Sequence, residues 1–455
     1  MNETEIRELV ERQRSYFLTG ATLPVEARIE ALKKLKACIQ EHEQEINEAL
    51  KADLGKGAFE SYMCETGLVL SELTYMIKNT PEYAKEITVR TPLAQFASRS
   101  YQKPSPYGVV LIMSPWNYPF LLSIDPLVDA IAAGNTAVIK PSAYSPNTGR
   151  VIDRIISLCF DRSHAAVVTG GREENTSLLN EHFDYIFFTG SQHVGREVMT
   201  KAARHLTPVT LELGGKSPCI VDRGADVETA ARRIAWGKTL NAGQTCIAPD
   251  YLLLHESLAD AFPAAYARAL RRLHGDDARQ SPHYVRLVND RAFDRVASYL
   301  AQGTVRLGGR TDRAERYIEP TLLTEVDPLA PVMREEIFGP VLPVVPFRTT
   351  DEAVAFVTER EKPLALYYFG PEKSGREVLR RTSSGGACLN DTIMHIANEH
   401  LPFGGVGNSG MGRYHDRDSF DAFSHRRAVV ETPTWIDPPF RYMPYKLFRY
   451  VKRIL

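Results

Sequence analysis

One of the six cysteines lies in a segment whose residue types could support covalent chemistry. Cys246 follows a helical stretch and a glycine-containing turn in residues 241–249 (NAGQTCIAP). A thiol becomes a good nucleophile when backbone N–H groups and an electropositive surrounding lower its pKa. Cys246 is therefore a candidate nucleophile, the alternative being a small buried apolar side chain. The chain has no CxxC pair, which is typical of a reducing compartment and argues against a disulfide framework.

Two glutamates are candidates for acid–base chemistry. Glu212 lies in residues 211–218 (LELGGKSP), which resemble a phosphate-binding loop but have Thr210 where GxxxxGK[ST] needs glycine. What remains is a carboxyl group at a strand end, where burial between leucines could raise its pKa toward that of a general base. Glu336 lies in residues 335–340 (EEIFGP), beside the aromatic ring of Phe338. Solvent-exposed carboxylates are the alternative for both residues.

Glycine-rich and proline-rich turns suggest where a ligand would bind. Residues 190–195 (GSQHVG) follow a predicted strand and open a predicted helix, so their backbone N–H groups could face a pyrophosphate. Residues 405–410 (GVGNSG) match GxGxxG, but no Val/Ile-rich strand precedes them, and we predict a loop of tight turns instead of a dinucleotide fingerprint. In residues 115–119 (PWNYP), Asn117 could present an amide donor in a cleft or cap the next helix. Lys140 ends a predicted strand and could reach the same cleft or be solvated.

Short Val/Ile-rich runs that alternate with helical stretches must position these residues. The predicted strands are 109–113, 137–139, 165–168, 185–188 and 208–211, followed after position 214 by 219–221, 251–254 and 365–369. Such unalternating runs indicate parallel sheets covered on both faces, which bind ligands at the carboxyl ends of their strands. We therefore predict an α/β protein with two doubly wound domains. Residues 25–50 are predicted to form one long amphipathic helix ended by Gly55 and Gly57, residues 120–133 a helix stopped by Gly134, and residues 86–103 an exposed hairpin.

Composition excludes several other classes of protein. The 455 residues are 44% apolar and 24% charged, as in folded soluble proteins, and the net charge of −1 gives no field that would attract nucleic acid. No apolar run approaches the ~18 residues of a membrane span, and the N-terminus lacks the regions of a signal peptide, so we expect a cytoplasmic protein. His395 and His400 are five residues apart and there is no HExxH, so no metal is predicted. The basic residues 441–455 could touch an anionic membrane surface weakly, or pack along this or a partner subunit.

Seven segments, taken together and in order, resemble the motifs of the aldehyde dehydrogenase superfamily over nearly the whole chain. They are residues 115–119 (PWNYP), 139–142 (IKPS), 188–191 (FTGS), 211–218 (LELGGKSP), 243–246 (GQTC), 335–340 (EEIFGP) and 401–410 (LPFGGVGNSG). The short chain, with residues 246–251 (CIAPDY), 410–415 (GMGRYH) and 419–425 (SFDAFSH), is similar to the class 3 branch in particular.

The resemblance implies a function and a fold. Aliphatic or aromatic aldehydes would be oxidised to carboxylic acids with NAD or NADP by a homodimer. The fold implied is that of aldehyde dehydrogenases, two Rossmann-like domains with a small bridging or oligomerisation hairpin. The expected bounds are 1–82 and 105–212 for the cofactor-binding domain, 213–408 for the catalytic domain, 83–104 and 409–435 for the bridging element, and 436–455 for a basic tail.

The resemblance also implies residue roles. Cys246 matches the nucleophile, Glu212 the general base and Asn117 the amide that forms the oxyanion hole with the Cys246 backbone N–H. Tyr118 and Phe403 are expected to border the substrate tunnel. The residues expected to contact the cofactor are Trp116, Lys140, Gly190, Ser191, Gly195, Glu336 and Phe338.

One departure from the family pattern concerns the cofactor. In NAD-preferring relatives a glutamate follows the Lys-Pro-Ser segment and holds the adenosine ribose, whereas this chain has Ala143. The absence of that carboxylate removes an acceptor for NAD and a repulsion against the 2′-phosphate of NADP, so dual use of the two cofactors is expected.

Three alternatives remain open. An acylating dehydrogenase would pass the acyl group to coenzyme A, although that branch generally lacks the glutamate matched by Glu212. A cysteine hydrolase would leave the Lys140 and Glu336 motifs without a purpose. A non-catalytic binding protein is hard to reconcile with the presence of Cys246, Glu212 and Asn117.

Overall fold

The computed structural model describes residues 1–437 and 439–444. Its helices are α1 (Glu3–Leu18), α2 (Val25–Glu41), α3 (Glu43–Leu54), α4 (Ala58–Ser61), α5 (Gly67–Tyr83), α6 (Leu121–Ala133), α7 (Pro146–Cys159), α8 (Arg172–Asn180), α9 (Gln192–Ala202), α10 (Val227–Thr239), α11 (Ala261–His274), α12 (Asp290–Ser298), α13 (Pro331–Arg334), α14 (Thr350–Thr358), α15 (Glu372–Arg381) and α16 (Asp416–Ala422). Its strands are β1 (Ile87–Val89), β2 (Arg99–Pro106), β3 (Val109–Met113), β4 (Thr136–Lys140), β5 (Ala165–Val167), β6 (Tyr185–Gly190), β7 (Val209–Leu213), β8 (Pro218–Val221), β9 (Tyr251–His255), β10 (Thr304–Leu307), β11 (Thr311–Asp312), β12 (Tyr317–Ile318), β13 (Thr321–Thr324), β14 (Val341–Phe347), β15 (Ala365–Phe369), β16 (Gly386–Leu389), β17 (Gly410–Met411) and β18 (Ser424–Glu431).

A six-stranded sheet has the order β17-β7-β6-β3-β4-β5. Its strands are parallel except for β17, which pairs antiparallel with β7 at the edge. Every residue of β3 and β4 is buried. Alternate side chains enter different core clusters, Ile112 packing in the cluster that contains α6 and Leu111 in the cluster that contains α1. Apolar residues on both faces therefore explain the unalternating runs in the sequence.

A seven-stranded sheet has the order β10-β13-β14-β9-β8-β15-β16. It is parallel except for β10, which pairs antiparallel with β13. The two large sheets confirm the predicted α/β class with two doubly wound units. The residue bounds of the domains stay a prediction.

A small antiparallel sheet, β1-β2-β18, brings together the two segments predicted to bridge the domains. β1 and β2 form the hairpin predicted for residues 86–103. β18 pairs with β2 over eight residues and leaves most of its own side chains exposed. Gly410 and Met411, from the same predicted bridging segment, instead pair with β7 of the six-stranded sheet.

The single helix predicted for residues 25–50 is wrong. The structure has two helices, α2 and α3, separated at His42. The His42 ring Nδ1 lies 2.8 Å from the Cys38 carbonyl oxygen, and the His42 backbone leaves the helical region. The His42 backbone N–H still donates to the same Cys38 carbonyl at 3.1 Å, so α2 closes its last bond before the chain changes direction into α3. The predicted stop is confirmed, since Gly55 ends α3 in the left-handed conformation.

Helix α6 lies against the six-stranded sheet and ends where the sequence predicts. All of its residues are buried, and Gly134 follows it with φ +96°. A Cβ at this position would lie 2.7 Å from the guanidinium carbon of Arg28, so both the backbone and the space require glycine.

A buried ion pair joins the N-terminal helices to the start of α6. The side chains of Lys56 and Glu65 are fully buried and bond to each other. Glu65 Oε2 also accepts hydrogen bonds from the backbone N–H groups of Phe120 and Leu121, at 2.8 and 3.2 Å. The first N–H groups of a helix have no partner within it, so Glu65 satisfies two of them.

Two predictions concern the surface and the chain end. Among the described residues, no helix has both the length and the apolar composition needed to span a membrane. Of the five basic residues in the predicted tail contact, only Arg441 is described, and Lys446, Arg449, Lys452 and Arg453 lie outside the described residues.

We predict that Lys56→Met destabilises the protein by about 3–5 kcal/mol, because it leaves the Glu65 carboxylate buried and uncompensated. The measurement is the midpoint of urea unfolding. Lys56→Met combined with Glu65→Gln should recover most of the loss, since glutamine can still accept from the α6 N–H groups without a charge. The control is Lys85→Met, which breaks an exposed pair with Glu82 and should cost less than about 1 kcal/mol. Equal shifts for Lys56→Met and Lys85→Met would contradict the prediction.

Candidate active site

Two cavities meet at Cys246 and Glu212. One has a volume of about 160 Å³ and a largely apolar lining. The other, of about 290 Å³, lies where β3, β6 and β7 end. The residues that line both cavities are Leu122, Thr189, Glu212, Leu213 and Cys246. The thiol and the carboxyl group therefore both lie at the boundary between the two cavities.

The turn before Cys246 has an unusual backbone. Asn241 and Ala242 have φ values of +50° and +51°, and Gly243 has +73°. A Cβ on Gly243 would lie 2.4 Å from the Gly339 carbonyl oxygen, so glycine is required there. Gln244 supports the turn from inside, because its amide nitrogen donates to the Asn241 carbonyl and its amide oxygen accepts from the backbone of Val288.

The surroundings of the Cys246 thiol differ from the expected electropositive site. Burial raises the pKa of Cys246, and the charges of Glu336 and Glu212 raise it further. The backbone N–H groups of Cys246 and Ile247 act in the opposite direction by donating to the sulfur. The expectation of a lowered pKa is therefore wrong for this structure, because no cationic side chain is among the groups that shift it. A proton acceptor is needed before the sulfur can attack.

Glu212 is placed to be that acceptor or to act on water. It is 4% exposed, and neither of its carboxylate oxygens has a hydrogen-bond partner in residues 1–437 and 439–444. Burial raises the pKa of Glu212 well above the ordinary value. The residue lies in β7, not on the surface, so the exposed alternative is wrong and the elevated pKa is as predicted.

Asn117 lies beside the Cys246 turn. It is 3% exposed, and its side-chain amide donates to the Gln244 carbonyl at 3.1 Å. The backbone carbonyl of Asn117 accepts hydrogen bonds from Lys56 Nζ at 2.8 Å and from the Asn241 side-chain amide at 2.9 Å. Asn117 is not the N-cap of α6, which is Phe120. The Asn117 amide is therefore bonded to the residue two positions before Cys246, and Asn117 and Cys246 both line the larger cavity.

Most of the predicted cofactor residues line the larger cavity: Trp116, Gly190, Ser191, Glu336 and Phe338. The Trp116 and Phe338 rings meet edge to face at 5.4 Å. Ser191 caps α9, whose N-terminal N–H groups favour a phosphate.

Glu336 and Gly214 form one wall of this cavity. Glu336 Oε1 has no partner among the residues that the structure describes, and burial followed by the charge of Asp250 raises the Glu336 pKa to about 8. A Cβ on Gly214 would lie 2.3 Å from the Glu336 carboxylate oxygens, so glycine leaves room for that carboxyl group. An unpartnered acceptor in a phosphate-compatible cavity fits a nucleotide carrying ribose hydroxyls.

Two predicted cofactor residues do not line the cavity. Lys140 is buried, and its Nζ donates to the Pro141 carbonyl at 2.8 Å and to the Gly170 carbonyl at 2.7 Å. Burial lowers the pKa of Lys140 to about 8. Gly195 packs α9 against β7, because a Cβ there would lie 2.7 Å from Leu213 Cδ2. Lys140 is thus held by backbone carbonyls outside the cavity, and Gly195 contributes through the packing of α9 against β7.

The predicted substrate residues lie in the smaller cavity. Tyr118 and Phe403 both line it, and the Tyr118 hydroxyl lies 2.6 Å from Thr245 Oγ1. The surrounding side chains are apolar, including Trp236, Leu240, Ile247 and Ile393. Such a lining favours an uncharged hydrocarbon chain next to the thiol.

Sequence reasoning missed several residues that hold the site. Lys56, Glu65, Asn241 and Gln244 act through buried hydrogen bonds to backbone atoms, and only the juxtaposition of distant segments makes them visible. Arg295 lines the larger cavity and donates to the Glu336 and Ile337 carbonyls. No local sequence signal distinguishes it from other helix arginines.

The GxGxxG segment, residues 405–410, is a tight loop as predicted. The Ser409 carbonyl accepts from the Leu213 N–H, and a Cβ on Gly405 would lie 2.1 Å from the same oxygen. In the part of the chain that the structure describes, no group of three or more His, Cys, Asp or Glu side chains is arranged to hold a metal ion.

Comparisons with known proteins agree with this geometry. Residues 1–429 match the model of the aldehyde dehydrogenase family. The chain is 48% identical to aldehyde dehydrogenase family 3 member A2 of Macaca fascicularis, over 92% of this chain and 87% of that protein. It is 47% identical to the dimeric NADP-preferring aldehyde dehydrogenase of Canis lupus familiaris, over 97% and 98% of the two chains.

A solved structure is similar over the whole chain. The substrate-bound state of Staphylococcus aureus AldH superposes with a TM-score of 0.96 at 46% identity, covering 100% of this chain and 99% of that one. With a family model matched along almost its entire length and class 3 relatives near half identity, this chain belongs to the aldehyde dehydrogenase family.

Proposed function

We propose that the protein oxidises aliphatic or aromatic aldehydes to carboxylic acids with NAD or NADP, through a thiohemiacetal and then a thioester on Cys246. The observation that carries the proposal is the position of Cys246 and Glu212 at the boundary between an apolar cavity and a nucleotide-compatible one. An aldehyde in the first cavity presents its carbonyl carbon to the sulfur. The nicotinamide, when bound in the second, supplies a hydride acceptor.

The chain's own groups control the charge that develops. Sγ of Cys246 attacks the carbonyl carbon after losing its proton, for which the buried Glu212 carboxylate is the available acceptor. The aldehyde oxygen then becomes an oxyanion next to the Asn117 amide and the Cys246 N–H. Preorganised donors of this kind are each worth roughly 3–4 kcal/mol in transition-state stabilisation.

Glu212 also acts in the release of the acid. Once it has passed the thiol proton to solvent, its carboxylate, made more basic by the raised pKa, can take a proton from water as the water attacks the thioester carbon and Cys246 Sγ leaves. The same residue argues against the acylating alternative, in which coenzyme A would replace water as acyl acceptor. A carboxylate that activates water beside the thioester favours hydrolysis of the thioester over transfer of its acyl group to coenzyme A.

Position 143 bears on the cofactor. Ala143 is exposed in the turn between β4 and α7, so no carboxylate at that position opposes a 2′-phosphate. One relative is named NADP-preferring. Both facts support use of NADP as well as NAD.

The proposed assembly is a homodimer. The relative named dimeric is 47% identical to this chain. β18 forms one edge of its sheet and has largely exposed side chains, including Val430, which is 50% exposed. An exposed edge strand is suited to pairing with another chain. We further propose that the dimer is cytoplasmic, which is supported by the six cysteines: all lie within the described residues and form no disulfide, as is typical of a reducing compartment.

We predict that Cys246→Ala abolishes aldehyde-dependent nicotinamide reduction, whereas Glu212→Gln lowers only the steady-state rate, by about 10²- to 10⁴-fold. Glu212→Gln should retain a burst of about one reduced nicotinamide per site when an external base deprotonates the thiol. The steady-state rate of the wild type should rise with pH, because the raised pKa leaves Glu212 protonated and unable to accept a proton at low pH. The measurement is stopped-flow absorbance with a panel of aldehydes, with and without coenzyme A. No reduction with any aldehyde refutes the proposal, and a rate that requires coenzyme A favours the acylating alternative.

We predict comparable kcat/KM values for NAD and NADP in the wild type. Ala143→Glu should lower kcat/KM for NADP by about tenfold with a smaller effect on NAD, because the added carboxylate repels the 2′-phosphate. Ala143→Gln is the matched control, similar in size but uncharged, and should change the ratio little. A strong preference of the wild type for NAD would contradict the dual use.

A further inference from the structure

A second group of buried carboxyl side chains lies outside the catalytic machinery. Glu72 on α5 and Asp125 and Asp129 on α6 are at most 5% exposed. Asp125 and Asp129 are four residues apart, so they share one face of α6. Neither the proposed reaction nor the proposed cofactor site uses any of the three.

Among residues 1–437 and 439–444, no Lys or Arg side chain pairs with these carboxyl groups. Asp125 Oδ1 has no hydrogen-bond partner there, whereas the Glu72 and Asp129 side chains interact with each other. Burial raises the pKa of Glu72 to about 7, the hydrogen bond with Asp129 acts in the opposite direction, and the charges of Glu399 and Asp416 raise the pKa further. Burial also raises the pKa of Asp125 and Asp129 well above the ordinary value, and the charge of Glu72 adds to both shifts. A buried carboxylate without a partner is costly, so the cluster would gain from a cation.

A histidine beside the cluster is also unpartnered. His415 is 9% exposed, and its Nδ1 has no hydrogen-bond partner in the described part of the chain. Its Nε2 lies 3.9 Å from Asp125 Oδ2. Burial lowers the pKa of His415 to about 4, so the ring is neutral near pH 7 and offers an acceptor nitrogen instead of a positive charge.

These groups line a cavity that adjoins the substrate cavity. Glu72, Asp125 and His415 line a space of about 40 Å³, together with Glu399 near the surface. Five residues line both this space and the apolar cavity that contains the thiol: Leu68, Leu121, Ile396, Ala397 and Tyr414.

Tyr414 connects the acidic cavity to the catalytic residues. After burial, the charges of Asp125, Glu212 and Cys246 all contribute to the raised pKa of Tyr414. The buried Tyr414 phenol is therefore close enough to Asp125 on one side and to Glu212 and Cys246 on the other for their charges to change its pKa. A molecule extending from the thiol past Tyr414 meets apolar side chains first and carboxyl groups last.

The size and composition of the acidic cavity select among cations. A volume of about 40 Å³ holds roughly three water molecules, which is enough for a primary ammonium group, whereas a trimethylammonium group has no N–H to donate to the carboxyl oxygens. Among the described residues, no group of three or more His, Cys, Asp or Glu side chains is arranged to hold a metal ion. Three donors on one nitrogen match the three acceptors supplied by Glu72, Asp125 and His415.

We propose that Glu72, Asp125 and His415 form a subsite for the primary ammonium group of an ω-amino aldehyde, whose hydrocarbon chain fills the apolar cavity and whose aldehyde carbon reaches Cys246. This inference rests on the proposed function. It adds a class of substrate, a long aliphatic aldehyde with a terminal amine, to the uncharged aldehydes that the apolar lining alone would accept.

The experiment compares kcat/KM for 7-aminoheptanal and 8-aminooctanal, freshly released from their acetals, with kcat/KM for heptanal and octanal. Hydrogen bonds to charged groups contribute about 1.5–3 kcal/mol, so the wild type should favour the amino aldehyde at one of these lengths by about tenfold or more. Glu72→Gln and Asp125→Asn should each reduce that preference by about tenfold. The trimethylammonio analogue should show no preference.

A matched control separates the subsite from a general effect of negative charge. Asp153→Asn makes the same chemical change at a partly buried residue of α7 that lines neither cavity, and it should leave the preference unchanged. Melting temperatures test folding, and Asp125→Asn should not lower the melting temperature, because it removes a buried unpaired acid.

The outcomes distinguish this inference from the proposed function. Oxidation of alkanals without a preference for amino aldehydes overturns the subsite and leaves the proposed function standing. A preference that survives both substitutions, or that extends equally to the trimethylammonio analogue, also overturns the subsite. If no aldehyde is oxidised, the proposed function fails. In that case, calorimetry of heptylammonium and of 1-heptanol binding tests the subsite without turnover. Tighter binding of the amine, lost in Asp125→Asn, supports the subsite. Equal binding of the two compounds refutes the subsite.

Discussion

The active site depends on the buried ion pair between Lys56 and Glu65. Glu65 holds the first N–H groups of α6, while Lys56 donates to the Asn117 carbonyl in the turn after β3. The Asn117 amide in turn donates to the Gln244 carbonyl, in the turn that carries Cys246. The first turn follows a strand of the six-stranded sheet, and the second precedes a strand of the seven-stranded sheet. One chain of buried hydrogen bonds therefore fixes the α6 terminus, the Asn117 amide and Cys246 relative to one another. Because such a pair costs desolvation energy, its contribution is better understood as positioning than as stability.

A second constraint is the low polarity around the reacting groups. Burial raises the pKa values of Cys246, Glu212 and Glu336, and the charges of the two glutamates raise that of Cys246 further. The three groups consequently favour their protonated forms in the structure. A neutral resting site protects the thiol from unwanted reactions, since thiolate is the reactive form. It also means that the arrival of positive charge or of a base at this boundary changes the reactivity of all three groups at once.

The sequence was sufficient to predict the parts that depend on local pattern. The strands of the six-stranded sheet follow from apolar runs, and the resemblance carried by the motifs pointed to Cys246, Glu212 and Asn117, which all line the larger cavity. It was insufficient where distant contacts decide. β14 is not among the predicted strands, and Pro343 and Pro346 argue against a strand there, yet the strand is central and its neighbours supply the remaining ladder bonds. The raised pKa of Cys246 depends first on burial and then on two glutamates, one of which is ninety residues away in sequence.

The acidic cluster is a second case in which the sequence pattern does not predict burial. Asp125 and Asp129 have the spacing of polar residues on a solvent-facing helix stripe, but every residue of α6 is buried. A helix that is enclosed on all sides normally carries apolar residues, because each buried acid costs free energy unless it is paired. The protein tolerates two on this helix and a third on α5, and two of the three, Asp125 and Glu72, line a space that adjoins the substrate cavity. Asp125 lies in that space with an oxygen that has no partner among the described residues, and burial of such a group costs free energy. A ligand whose charge completes the site therefore explains the two acids better than the stability of the fold does.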